Sequence, residues 1–184
     1  NTKSHPEGDA GTHTMLALAA MRKETDDPAK LWAVLCHDMG KGLTPPEQWP
    51  EHPKHPALGE HLVARLCVRY ALSKKISTLA VLVTRWHGRI HLAKNLTPEA
   101  RLEVLQVCDA WRHPERFMQI LDVCRADAQG RLGSEKCDYQ QAQFWHTWLD
   151  NCLKISVEPF IAQGLSGAGL ATALNHARIE ILRN

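Results

Sequence analysis

The sequence predicts an all-α protein, with a compact helical bundle over residues 1–133 and a smaller helical appendage over residues 134–184. Three observations carry that reading. Apolar residues recur at helical spacing in one segment after another. The breaks between segments hold helix-start signals, Asp27-Pro28 and Thr97-Pro98-Glu99. No alternating β-run or Asn-Gly hairpin signal interrupts them.

The elements follow in order. Residues 1–11, NTKSHPEGDAG, form a polar lead punctuated by Gly and Pro. Thr12 is the expected N-cap of a helix over 13–23, with His13, Leu16, Ala17 and Ala20 on one face. Asp27-Pro28 starts the next helix, in which Leu31, Val34 and Leu35 lead in register to Asp38, with His37 beside it. Gly40 is expected to let the chain turn out of this helix, and Lys41 to leave a cation near the site. The stretch LTPPEQWPEHP, with four prolines, reads as a stiff irregular wall beside it.

A helix from Lys54 places His55, Leu58, Leu62 and Leu66 in register, with His61 on its flank. Ile76, Leu79, Val83 and His87 stripe the next, expected to run out at Gly88 ahead of His91. Thr97-Pro98-Glu99 opens a helix through Leu102, Leu105 and Asp109 to Arg112. After His113-Pro114, the positions Phe117, Ile120, Leu121 and Cys124 lead to Asp127, and Gly130 ends the helix. The appendage holds a Trp-rich helix over 139–155, a short one over 157–163, and a last one from Ser166 with Leu170, Leu174, Ala177 and Ile181 on one side.

Composition narrows the class. A length of 184 residues suits one domain with a sizeable core, alone or with a small appendage. A net charge of +2 does not by itself point to nucleic acid, and no apolar run is long enough to span a membrane. The six cysteines show no C-x-x-C spacing and read as reduced, buried thiols of a cytoplasmic protein rather than a disulfide frame or zinc knuckle. There is no signal-peptide h-region. The chain opens at Asn1 without an initiator Met, and is expected to be cut from something longer.

The chemistry sits where acids interrupt apolar stripes. A buried carboxylate costs several kcal/mol unless a cation, a metal or dense hydrogen bonding compensates it. His13, His37, Asp38 and Asp127 extend stripes on three expected helices, which a bundle would bring together as a mixed N/O site for one divalent ion with open positions. His55, His87 and His91 could bind a second ion, protonate a leaving group, or hold phosphate together with Lys41, Arg85, Arg89 and Arg131. Blander roles stand beside these: His55 and His87 as core residues, and Arg85, Arg89 and His91 as a solvated helix end. His52 and His61 read as surface residues. Asp109 rivals Asp127, but Arg112 offers it an ion-pair partner.

The ordered set His13, His37-Asp38 and Asp127, with His55 and His87 between, resembles the HD superfamily of metal-dependent phosphohydrolases. Four stretches resemble, more narrowly, the C-terminal half of the bacterial multifunctional CCA family, the tRNA nucleotidyltransferases that carry an HD domain. They are HPEGD ahead of His13-Thr14, DAWRHPERF over 109–117, ADAQGR over 126–131, and GLSG at 164–167 running on to Arg178. This resemblance, over essentially the whole chain, implies an HD-domain bundle with phosphatase, 2′-nucleotidase and 2′,3′-cyclic phosphodiesterase activity. It implies nickel or magnesium as cofactor, manganese or cobalt as substitutes, and the tRNA 3′ end and phosphorylated nucleotides as substrates. His13, His37, Asp38 and Asp127 would be ligands, and Lys41, His87 and His55 catalytic. The nucleotidyltransferase head is not in this sequence; it would be the partner domain in the parent chain, as monomer or dimer. A tRNA-binding arm with a vestigial pocket is the competing expectation, resting on Lys154, His176, Arg178 and Arg183. An HD-type di-iron oxygenase is a third, on the histidine count.

Overall fold

The computed structural model describes residues 9–183; most of the polar lead, with His5-Pro6-Glu7-Gly8, lies outside the described residues. Among the described residues the chain is all-α, with short 3₁₀ turns and no strand. The helices are α1 (Ala10–Glu24), α2 (Pro28–Cys36), α3 (His55–Arg69), α4 (Lys74–His91), α5 (Pro98–Val107), α6 (Pro114–Gln129), α7 (Gln140–Leu153), α8 (Glu158–Ala162) and α9 (Gly167–Leu182). None is long and apolar enough to cross a membrane.

Side-chain capping accounts for the starts of α1, α2 and α5. Asp27 and Thr97 cap α2 and α5 by accepting from the main-chain N–H of Ala29 and Ala100, each followed by a first-turn proline. Helix α1 is capped by Asp9, not by Thr12. The Asp9 carboxylate accepts from both the main-chain N–H and the hydroxyl of Thr12. A carboxylate three residues upstream reaches the first-turn donors, so Thr12 becomes part of the helix.

Two compact units are present. One holds the described residues up to His91 together with Met118–Tyr139, and the other holds Leu92–Phe117 together with Gln140 onward. Residues 92–117 thus group with the C-terminal helices, whereas the sequence reading counted them with the segment ending at 133. Helix α5 is short and ends at Val107. Asp109 adopts a left-handed conformation with φ of 52°, breaking the continuation to Arg112 that the apolar spacing led one to expect.

In the first unit α2 and α3 both pack on α4, and α1 packs on α2. The buried face of α3 is Gly59, Val63 and Cys67, one residue on from the expected Leu58, Leu62 and Leu66 stripe. The reason is main-chain contact. A Cβ placed on Gly40 would lie 1.9 Å from the carbonyl oxygen of His55 and 2.6 Å from the nitrogen of Gly59. Gly40 therefore serves close approach between the 3₁₀ turn Met39–Leu43 and α3, rather than the turn out of a helix expected of it. Gly130 does the same after α6, where a Cβ would lie 2.6 Å from the nitrogen of Ala17 on α1. Helix α4 passes Gly88 and ends at His91, carrying Ile90 into the core.

In the second unit α5, α7 and α8 pack on α9. Trp145, Trp148, Leu149 and Cys152 form the buried face of α7. Arg101 is 8% exposed and donates to the carbonyls of Ala93, Lys94 and Leu182, with its guanidinium 4.1 Å from the centre of the Trp148 ring. All six cysteines are free thiols, five of them buried.

Gly40→Ala is expected to destabilise the protein by about 1–3 kcal/mol, the usual cost of forcing a methyl into packed surroundings. Gly42→Ala, with open space around its Cβ, is expected to be near neutral. Urea unfolding of the two variants checks this, and equal midpoints would contradict the close-approach account.

Candidate metal centre

Two buried carboxylates in the first unit organise the site. Asp38 follows the C-terminus of α2, where His37 is the C-cap, and Asp127 lies in the last turn of α6; they are 6% and 3% exposed. The Gly130 contact with Ala17 draws the end of α6 against α1, and His13 Nε2 lies 2.8 Å from Asp127 Oδ1. The Gly40 contact with the start of α3 brings His55 Nε2 to 3.2 Å from Asp38 Oδ1. His37 Nε2 sits between the two acids, 3.3 Å from Asp38 Oδ2 and 3.7 Å from Asp127 Oδ1. From α4, His87 Nε2 reaches Asp38 Oδ1 at 3.6 Å and His91 Nε2 reaches Asp127 Oδ2 at 2.6 Å. Lys41 Nζ is 2.6 Å from Asp38 Oδ2, and Arg131 Nη2 is 4.0 Å from Asp127 Oδ1.

Three of the histidines are held in one tautomer by nearby main-chain carbonyls. His37, His55 and His87 donate Nδ1–H to Val34, His52 and Val83 at 2.7, 2.8 and 3.1 Å. When neutral, a ring so held turns the lone pair of Nε2 inward, the form in which imidazole binds a metal.

Charge balance fixes the protonation. Burial alone would push both carboxyls up. For Asp38 this is outweighed by the charge of His37 and its close contact and by the nearby His55 and His87 rings, and for Asp127 by His37, His91 and His13, so both stay well below the ordinary range. Burial would likewise lower His37, but Asp38 and Asp127 raise it to about 9. His87 is lowered by burial and by the neighbouring His37 charge, which outweigh the pull of the Asp38 and Asp127 carboxylates on its charged form. Without an ion, then, two negative charges face the cations of His37 and Lys41, and His87 is neutral.

The donor set fits a divalent cation. His13, His37 and Asp127 can converge on one ion, and Asp38, His55 and His87 form a second convergent group, the ligand atoms within each lying within 4.8 Å of one another. His37 Nε2, Asp38 Oδ1 and His55 Nε2 are buried and face one another, yet none of the three makes a well-directed hydrogen bond. Such atoms are costly when left so, and a cation between them removes the cost.

The structure brings His13, His37, Asp38, Asp127, Lys41, His55 and His87 together, with Arg131 at the edge. It does not bring Arg85 and Arg89. Both flank His87 on α4 at two positions' distance, a rotation of roughly 200°, which puts them on the opposite face. Arg85 pairs with Glu60 at 3.2 Å, and both guanidinium groups lie near the Trp86 ring. Asp109 belongs to the second unit, where it pairs with Arg112 at 2.8 Å. His61 is exposed, but His52 is half-buried, with Nδ1 against the Thr44 hydroxyl and its carbonyl holding His55. His91, read as a site residue or a helix end, is in the cluster. Tyr139, expected to open the helix over 139–155 and given no role there, lies just ahead of Gln140, where the helix begins, and bonds His91.

The His37 proton gives a pH signature. Because its folded-state pKa is raised, its contribution to stability is full below about 6.5, the ordinary histidine value, and is lost as pH rises through about 9. Thermal melts in chelator are therefore expected to fall over this window. Added divalent ion, which takes the place of the proton, is expected to remove the fall. Chelated melts that rise or stay level from pH 6.5 to 9 would contradict the assignment.

The HD domain family matches residues 11–126. Curated relatives include multifunctional CCA proteins of Hahella chejuensis, 38% identical over 97% of this chain, Psychromonas ingrahamii, 40% over 97%, and Thioalkalivibrio sulfidiphilus, 39% over 98%. The chain spans 42–44% of the length of these relatives. No solved structure matches it. With most of its residues inside the family match, and its His37-Asp38 pair between the two buried groups, the chain belongs to the HD domain family.

Proposed function

We propose that the chain is a metal-dependent phosphohydrolase and part of a longer cytoplasmic enzyme that acts on tRNA 3′ ends. The observation that carries this is the pair of buried His/Asp groups sharing one wall, with Lys41 and Arg131 beside the carboxylates. His13, His37, Asp38 and Asp127 are assigned as ligands of a divalent ion, nickel or magnesium by family resemblance, with manganese or cobalt as substitutes. When bound, the ion supplies charge stabilisation at a phosphoryl oxygen and acidifies water.

The chain's own residues do the rest. Lys41 and Arg131 set cations beside the carboxylates, where a phosphate with its own negative charge draws them toward itself. His87 is neutral, with Nδ1–H held by Val83, so its Nε2 can take a proton from water or pass one to a leaving alkoxide. His55 is held the same way by His52 and is assigned to the same proton transfer or to a second ion. The substrates are phosphate esters of nucleotides, with 2′,3′-cyclic phosphates and 2′-phosphates at RNA ends foremost. The relatives' name supports a parent protein that also adds CCA to tRNA through a nucleotidyltransferase part.

A non-catalytic tRNA-binding arm is less well supported. Of the C-terminal cations, Arg178 stacks on Trp111 at 4.1 Å, Arg183 pairs with Glu180, and Lys154 bonds Asn151.

His37→Ala, Asp38→Ala and Asp127→Ala are each expected to lower phosphate release from 2′,3′-cyclic AMP and from a simple phosphate ester by about 100-fold or more, and His87→Ala by about 10²–10⁴-fold. tRNA affinity is expected to stay unchanged in all four. Hydrolysis at the native rate in the His37 and Asp38 variants would end the catalytic reading.

A further inference from the structure

His91 differs from His37, His55 and His87 in what its Nδ1 meets. Those three rings present Nδ1–H to a carbonyl and turn Nε2 toward the carboxylates. The Nδ1 of His91 instead meets the hydroxyl of Tyr139 at 2.8 Å, while its Nε2 lies 2.6 Å from Asp127 Oδ2. An ionised carboxylate can only accept, so Nε2 carries the hydrogen. In the neutral ring Nδ1 is then bare, and the Tyr139 hydroxyl, free to rotate, donates to it. Tyr139 is 7% exposed and packs edge-on against His91, with ring centroids 5.5 Å apart. Neither residue belongs to the two groups that converge on a cation.

The consequence falls on Asp127. With Oδ2 taken by His91, the other oxygen, Oδ1, is the one turned to His13 Nε2 at 2.8 Å and His37 Nε2 at 3.7 Å. A carboxylate held by one oxygen cannot swing, so the ligating oxygen is aimed before any ion arrives.

We propose that Tyr139 is a positioning residue of the metal centre, acting through His91 to hold Asp127 with Oδ1 directed at His13 and His37. The role rests on the metal-centre reading given above, whereas the His91 tautomer it requires exists with or without an ion.

Tyr139→Phe keeps the ring and removes only the hydroxyl. Its Co²⁺ affinity, measured by calorimetric titration of the metal-free protein, is expected to fall by about 10–100-fold, the usual effect of losing an outer-shell partner. His91→Ala is expected to lose at least as much, and the double variant no more than His91→Ala alone, because Tyr139 has no route to the ion except through His91. Native-like affinity in Tyr139→Phe, or losses that multiply in the double variant, would overturn the role. A second readout needs no metal: long-range ¹⁵N–¹H spectra of the chelated wild-type protein are expected to show His91 as the Nε2–H tautomer, with its Nδ1 resonance moved in Tyr139→Phe. Wild-type His91 found as Nδ1–H would overturn the role even where Co²⁺ binds. A wild-type protein that takes up no Co²⁺ would count against the metal reading instead. The tautomer would then decide whether Tyr139 sets the His91–Asp127 pair.

Discussion

Two carboxylates inside a hydrocarbon core are the constraint from which the first unit follows. Asp38 and Asp127 are each almost wholly withdrawn from water, and leaving either uncompensated would cost several kcal/mol, a large share of what holds a domain of this size together. Histidines from α1, α2, α3 and α4 answer them, most held in place by a second bond from the other ring nitrogen. Folding alone gathers nitrogen and oxygen donors from several helices around a small volume. Three of the rings, His37, His55 and His87, are aimed by carbonyls of their own helices or of the turn just before, so their aim depends on the helices forming, not on what is later bound.

What could be read in the sequence was whatever one segment decides. Asp27-Pro28 and Thr97-Pro98 are helix starts by local chemistry, and the α6 stripe through Phe117, Ile120, Leu121 and Cys124 to Asp127 is buried throughout. His13 and His37-Asp38 could be singled out because each puts a polar group where the pattern calls for an apolar one. What could not be read needed a second segment. The α3 register is set by main chain approaching from the turn after Asp38, which selects Gly59 for the inner face over the larger Leu58. Asp109 falls near a stripe, yet a left-handed residue breaks the helix there. Arg85 and Arg89, expected to hold phosphate, lie two positions either side of His87, and helical rotation turns that nearness in sequence into remoteness. Tyr139 sits outside any helix, and its role depends on a ring 48 positions earlier in the chain.

The second unit uses its cations differently. Arg101 is consumed by three carbonyls and the Trp148 face, and Arg178 lies over Trp111, while Trp145 packs edge-on against Phe117 and Trp148. The similarity to the multifunctional CCA proteins extends across both units, beyond residue 126 where the HD match ends.

Gly40 and Gly130 give the cluster a mechanical character. Where main chain rests on main chain or on a bare Cα there is no side chain to rotate aside, and the spacing is set by atomic radii. The distance from the Asp38 turn to the first residue of α3, and from the end of α6 to α1, is then close to a hard stop. The imidazole of His55 and the carboxylate of Asp127 are thus carried on segments whose separation from their neighbours the backbone itself fixes.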